Sequence, residues 1–326
     1  MNNLIKKLVF TLVLVKTFNN NKFDKRMIKN KVCKIKRNKT KKLFIIISVD
    51  WEGRHLEEKN INSIKKFNQE YPNIPLQHFL CPSYFTHNIK DAKKIIKSTI
   101  KDNDNIGLHI HPWRSLVEKA NVKYKSESSF YNVDESCEKC GHTVPLTSYN
   151  LDELEFIVKT SKNILIENNL LTQNSFRAGG WLADKNVLKV LIENNFEYDC
   201  SAVNWTKFKS YPNYENLYNE LKEIWNINNN TKQPYKINID NKSIYQFPNN
   251  GIAVDYMTLY DMLNVVLDNL NKYKDDDKIF LSFMFHQENA NYFINRIYRL
   301  IENLLVLKEY GYQLIFSSDP KEYLYL

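Results

Sequence analysis

The stretch Gly107–Trp113, GLHIHPW, sets two of the chain's seven histidines a single residue apart at the end of an apolar run. Strand residues i and i+2 project to the same side, so His109 and His111 can converge on one metal ion where a strand end meets a cleft. Two ligands do not make a site. A third ligand, a base, a proton donor and a groove are also needed, and three further polar residues close apolar runs in the same way. Asp50 ends LFIIISVD, Arg177 lies in NSFRAGG, and His286 ends KIFLSFMFH.

These runs are the elements that must position the chemistry. Leu43–Asp50 is continuous, apolar and rich in β-branched residues, which suits a strand buried on both faces. Comparable runs cover 74–82, 105–111, 174–180, 243–248, 278–286 and 312–318. Between them Leu151, Leu154, Ile157 and Val158 fall at helical spacing, as do Val187, Leu188, Val190 and Leu191, and Ile294, Ile297, Leu300, Ile301, Leu304 and Leu305. Such alternation argues for a mostly parallel α/β sheet or barrel. In a parallel barrel the C-terminal strand ends share one face, so Asp50, His109, His111, Arg177 and His286 would meet there.

Composition narrows the partners. The 326 residues are 43% hydrophobic and 25% charged, enough to bury a substantial core. The net charge of +9 belongs to one end: residues 1–42 hold fourteen Lys or Arg against Asp24 alone, which leaves the body mildly acidic. No basic cleft for nucleic acid is expected from such a body. Within the arm, Leu8–Val15 is too short to span a bilayer, which takes about 20 apolar residues. It reads as a solvated tail or outer helix, with peripheral contact to an anionic membrane face as the functional alternative. The odd total of five cysteines points to a reducing, cytoplasmic compartment rather than to a disulfide framework or export. Cys137, Cys140 and His142, in CEKCGH, find no second CxxC to complete a zinc knuckle and read as a polar loop.

In order, SVDWEG (48–53), GLHIHPW, FRAGGW (176–181), YDCS (198–201) and MFHQE (284–288) resemble the successive motifs of the polysaccharide deacetylase superfamily, carbohydrate esterases with a deacetylase homology domain. The similarity runs from Leu43 to the C-terminus, so residues 43–326 form the expected deacetylase-like domain and 1–42 a basic arm. The resemblance implies a distorted (β/α)7 barrel and a hydrolase that removes N-acyl groups from amino sugars with one divalent ion, Zn2+ as the expectation. It implies Asp50 as general base, His286 as general acid and Arg177 as the arginine that orients Asp50. Trp51 stands where the family's second acid usually does, so the metal role passes to Glu52, joined by His109 and His111, with Asp50 as an alternative carboxylate ligand. Trp113 occupies the place of the family's second metal histidine. Trp181 matches an aromatic groove wall, Tyr84 and Trp113 are further substrate-binding candidates, and Asp199 has a supporting role.

The chemistry explains these residue types. An acetamido carbonyl is a poor electrophile; a divalent ion polarises it and lowers the pKa of water to about 7. Asp50 would take the water proton, and a histidine, with an ordinary pKa of about 6.5, can supply the proton that the departing amine needs. Singly, each residue has a structural alternative: Asp50 as a helix cap or an ion pair with Arg177, His109 as a core imidazole, Arg177 as a loop anchor, His286 as a donor to a carbonyl. The ordered set at strand ends favours the catalytic reading. His55, His78 and His87 keep structural roles. There is no G-x-S-x-G elbow and no HExxH, and with seven glycines a phosphate cradle is not expected. Two alternatives stay open: a catalytically silent carbohydrate-binding barrel, and a glycoside hydrolase on the same fold.

Overall fold

The computed structural model describes residues 28–33, 35, 41–127, 141, 144–211 and 214–326. Most of the basic arm, and Cys137, Cys140 and His142 with it, lie outside the described residues. After a helical turn over 28–32 the elements run β1 (Lys41–Trp51), α1 (Glu58–Glu70), β2 (Gln77–Leu80), α2 (Ser83–Thr86), α3 (Ala92–Lys97), β3 (Asn105–Ile110), α4 (Arg114–Lys119), α5 (Leu151–Glu167), β4 (Ser175–Ala178) and α6 (Lys185–Glu193). Then follow β5 (Tyr198–Asp199), α7 (Glu215–Ile224), β6 (Tyr235–Ile239), β7 (Lys242–Gln246), α8 (Leu259–Lys272), β8 (Lys278–His286), α9 (Ala290–Val306), β9 (Tyr312–Ser317) and α10 (Glu322–Tyr325).

The described strands form one curled sheet in the order β6-β7-β5-β4-β3-β2-β1-β8, with β9 paired to β1. Every pairing is parallel except the β6–β7 hairpin. Seven parallel strands, β7 through β8, therefore make the curved wall of an α/β half-barrel. Among the described residues no strand bridges β7 to β8. Instead the segment following β7 spans the gap: Asn249 N donates to Ala202 O at 2.8 Å, while Gly251 N and Val254 N donate to Ser282 O and Met284 O of β8, each at 2.8 Å. The Asn250 side chain accepts from Ser282 N and donates to Phe280 O, each at 2.9 Å. Gly251 is required at this seam, because a Cβ there would lie 2.5 Å from Ser282 O.

The helices form for local reasons and are held by apolar stripes. Asn150 and Glu153 make a reciprocal capping box at the start of α5, and Thr258 and Asp261 do so for α8. On α5 the buried residues Leu154, Ile157, Val158, Ser161, Ile164 and Leu165 repeat at helical spacing and pack on the sheet. Buried on both faces, β1 alternates between two environments. Leu43, Ile45, Ile47, Val49 and Trp51 join the core beneath the helices. Phe44 and Ile46 join a second cluster with Phe79, Tyr198, Phe247 and Phe280, and Ser48 and Asp50 continue that second face. This alternation decides which β1 side chains can reach the concave side.

Candidate metal centre

Glu52 continues the Ser48–Asp50 side of β1 one step past the strand end, and three imidazoles surround its carboxylate. His111 Nε2 lies 2.6 Å from Oε2, His109 Nε2 lies 3.4 Å from Oε1, and His286 Nε2 lies 3.7 Å from Oε1. Sequence separations of 57 to 234 residues vanish because β1 pairs with β8 and the sheet curves through β2 to β3. In register, Asp50 sits beside His286 on one side, and His109 sits beside Arg177 on β4. Trp51, at the position of the missing acid, points the other way: its indole N–H donates to His78 Nδ1 at 3.0 Å, and His78 Nε2 meets Asp104 Oδ2 at 3.2 Å, all three buried. Period-two geometry therefore turns residue 52, rather than residue 51, toward the imidazoles.

The imidazoles are oriented before any ion arrives. His109 Nδ1 donates to the Arg177 carbonyl at 2.8 Å, an acceptor only, so Nε2 is the nitrogen turned to Glu52. That Nε2 is buried and makes no hydrogen bond. The His109 and His111 rings stand 5.0 Å apart at 75°, as i and i+2 residues of one strand face do. Gly179 makes room for them, since a Cβ there would lie 2.6 Å from His111 Nδ1. The donor atoms of Glu52, His109 and His111 fall within 4.8 Å of one another. Two imidazoles and one carboxylate are a donor set that divalent zinc uses when a position is left for water or substrate, so these residues fit a divalent ion.

Beneath the triad lies a buried ion pair. Arg177 Nη1 donates to Asp50 Oδ1 at 2.7 Å and to Ser48 Oγ at 2.9 Å, its Nε donates to Cys200 O at 3.1 Å, and its guanidinium lies 4.2 Å from the centroid of Phe79. On the far side of Glu52, His286 Nδ1 meets Asp255 Oδ2 at 2.8 Å. Burial opposes charge on His286, but Asp255, Glu52 and Asp50 outweigh it and push its pKa up to about 10. Burial likewise opposes charge on His109, yet Glu52 and Asp50 raise its pKa. For Glu52, burial is overcome by His111 and His109, which hold the carboxyl well below its usual range. Glu288, half-buried and desolvated beside the ionised Glu52, is pushed the other way, to about 8.

A cleft of about 410 Å³ opens on this centre, lined by Glu52, His111, His286, Trp113, Tyr214 and Tyr256 among others. Of the other residues singled out in the sequence, Asp50, His109 and Arg177 are buried behind that lining. Tyr84 is buried with its hydroxyl donating to Glu288 Oε1 at 2.9 Å. Trp181 is buried edge-on to His286, 6.4 Å between ring centroids. Asp199 is fully buried and accepts from both Ser201 N and Ser201 Oγ; burial, against those bonds and Arg177, lifts its pKa to about 6. Asp255 and Glu288 were not singled out as site residues. Asp255 follows the irregular seam and has no strand periodicity to mark it, whereas Glu288 lies inside the MFHQE motif two residues from His286.

No family model matches the chain, and no curated protein sequence matches it. In structure it resembles, over nearly its whole length, a Mycobacterium smegmatis protein assigned to the polysaccharide deacetylases, with 12% identity and a TM-score of 0.51 over 89% of this chain and 92% of that one. It also matches a family 4 carbohydrate esterase from Streptomyces lividans in complex with acetate (8% identity, TM-score 0.42, 83% and 90% covered). A third match is a family 4 carbohydrate esterase from Streptococcus mutans (12% identity, TM-score 0.43, 89% of each chain). The Mycobacterium likeness is one of fold: an α/β protein with a curled, mostly parallel half-barrel sheet.

Proposed function

We propose that this protein is a metal-dependent N-deacetylase that hydrolyses the carbon–nitrogen bond of an acylated amino sugar within a glycan. The observation that carries the reading is the gathering of His109, His111 and His286 around one carboxylate, Glu52, with Asp50 beside His286 in strand register. Glu52, His109 and His111 would hold one divalent ion, Zn2+ by the donor set. When bound, the ion supplies Lewis acidity to the amide carbonyl and to water.

The chain's own groups do the rest. Asp50 is the base: Arg177 holds its Oδ1, which orients the carboxylate and leaves Oδ2 to take a proton from the attacking water. His286 is the acid. Its Nδ1 is fixed by Asp255, and its Nε2, on the side of Glu52 and the cleft, gives a proton to the nitrogen as the C–N bond breaks. The products are a free amine and a carboxylic acid that gives its remaining proton to solvent, and transfer of the proton held by Asp50 through water to the now neutral His286 restores both groups. Tyr214, Tyr256 and Tyr292 also line the cleft, and aromatic side chains of this kind stack on sugars.

The test is release of free amine from N-acetylglucosamine oligomers by the purified, metal-loaded protein. The reading expects amine to appear while oligomer length stays constant. Shortened oligomers would instead mark a glycosidase, and a metal-loaded chain that binds oligomers without releasing amine would mark a silent carbohydrate-binding barrel.

A further inference from the structure

Glu52 lies outside the strand, where no ladder bonds hold its peptide, and yet both of its backbone polar groups are engaged by distant side chains. Trp113 Nε1 donates to Glu52 O at 2.7 Å, and Glu52 N donates to Glu288 Oε2 at 3.3 Å. The clamping residues are themselves anchored. The Trp113 ring is buried and stacks on His111, with centroids 5.2 Å apart and planes 20° apart. Glu288 Oε1 accepts from the buried Tyr84 hydroxyl, and the Glu288 carbonyl accepts at 2.7 Å from Asn60 on α1, itself fully buried. Immediately after Glu52 the chain turns through Gly53, at φ +85°, against Cys81, where a Cβ would come within 2.8 Å of Sγ.

We infer that Trp113 and Glu288 are positioning residues for the metal centre, gripping the Glu52 peptide from opposite sides so that its carboxylate stays between His109 and His111. The inference rests on the reading of these three residues as metal ligands. Trp113 thereby serves two ligands at once, stacking on one imidazole and holding the carbonyl of the acidic ligand. Partners behind the first ring of ligands typically contribute 10–100-fold to metal affinity, because a ligand that must be ordered on binding costs entropy that a held one does not. A role confined to substrate stacking would leave metal affinity untouched and raise KM alone.

The experiment measures Zn2+ and Co2+ dissociation constants, without substrate, by competition with a chromophoric chelator. The full chain is compared with Trp113→Phe, Glu288→Ala and Glu288→Gln, and thermal unfolding of the metal-free variants verifies folding. Trp113→Phe keeps a ring and loses the N–H, and it is expected to weaken metal binding about 10–100-fold. Glu288→Ala is expected to do the same, while Glu288→Gln, which keeps an acceptor for the Glu52 N–H, should restore affinity to within about threefold. Wild-type affinity in both Trp113→Phe and Glu288→Ala, with only KM raised in the first, overturns the inference and leaves the deacetylase reading standing. Absence of metal binding by the wild-type chain overturns both. If Trp113→Phe does not fold, the contrast between the two Glu288 variants decides alone.

Discussion

Arg177 and Asp50 form an ion pair with almost no access to water: Nη1 and Oδ1 are 2.7 Å apart, and the side chains are 1% and 3% exposed. Such a pair is held in place by what surrounds it, here Ser48, the Cys200 carbonyl and the Phe79 ring. Breaking one partner leaves the other charge buried. Arg177→Met is therefore expected to destabilise the fold by about 3–5 kcal/mol, and the double variant Arg177→Met/Asp50→Asn to recover part of that loss. Urea unfolding of the three proteins reads the difference; equal midpoints for the wild type and the single variant would show that the pair is replaceable.

Gly179 faces the His111 ring, which leaves no space for a methyl group. Gly179→Ala should cost about 1–3 kcal/mol of stability and displace His111, lowering divalent-metal affinity as well. Calorimetric titration beside thermal unfolding checks both effects. An alanine variant with unchanged metal affinity would mean that His111 shifts without consequence.

The Asp255–His286 pair makes stability depend on pH. Although burial disfavours the imidazolium, Asp255 and the nearby Glu52 and Asp50 raise its pKa to about 10 from the ordinary 6.5. A raised imidazole contributes stability that is fully present below about pH 6.5 and is lost as pH climbs towards 10. Metal-free protein should accordingly lose stability across that window, and Asp255→Asn should flatten the profile. Denaturation curves at intervals between pH 6 and 10 test this, and a wild-type profile as flat as the variant's would contradict it.

General acid–base groups typically contribute about 10²–10⁴-fold to rate. Asp50→Asn and His286→Gln are each expected to lower kcat for amide hydrolysis by that order, with KM for the oligomer changed far less. Steady-state kinetics on both variants give the split; deacetylation that survives Asp50→Asn would remove Asp50 from the role of base.

The strand-end placement of Asp50, His109, His111, Arg177 and His286 could be read in the sequence because parallel strands advertise themselves as short apolar runs, and the polar residue closing each run is conspicuous. Glu52 followed from the resemblance as the acid nearest the expected position, and the structure adds the reason: Trp51 is committed to His78 on the opposite face. Other features left no periodic trace. β5 is two residues long, and β6, YKINI, exposes its alternate lysine and asparagine in a chain rich in both. Asp255 depends on a seam built from backbone and asparagine bonds rather than a strand, so nothing in its neighbours marks it. Glu288 meets Tyr84 and Glu52 across 204 and 236 residues, contacts that exist only once the sheet has curled.

Deacetylation by this chain requires that Glu52, His109 and His111 form one metal site. Titration of the purified chain with Zn2+, with bound metal quantified after gel filtration, tests it most directly. One ion per wild-type chain is expected, and its loss in Glu52→Gln and in His109→Ala. A wild-type chain that retains no ion, or a His109→Ala chain that retains it undiminished, would contradict it.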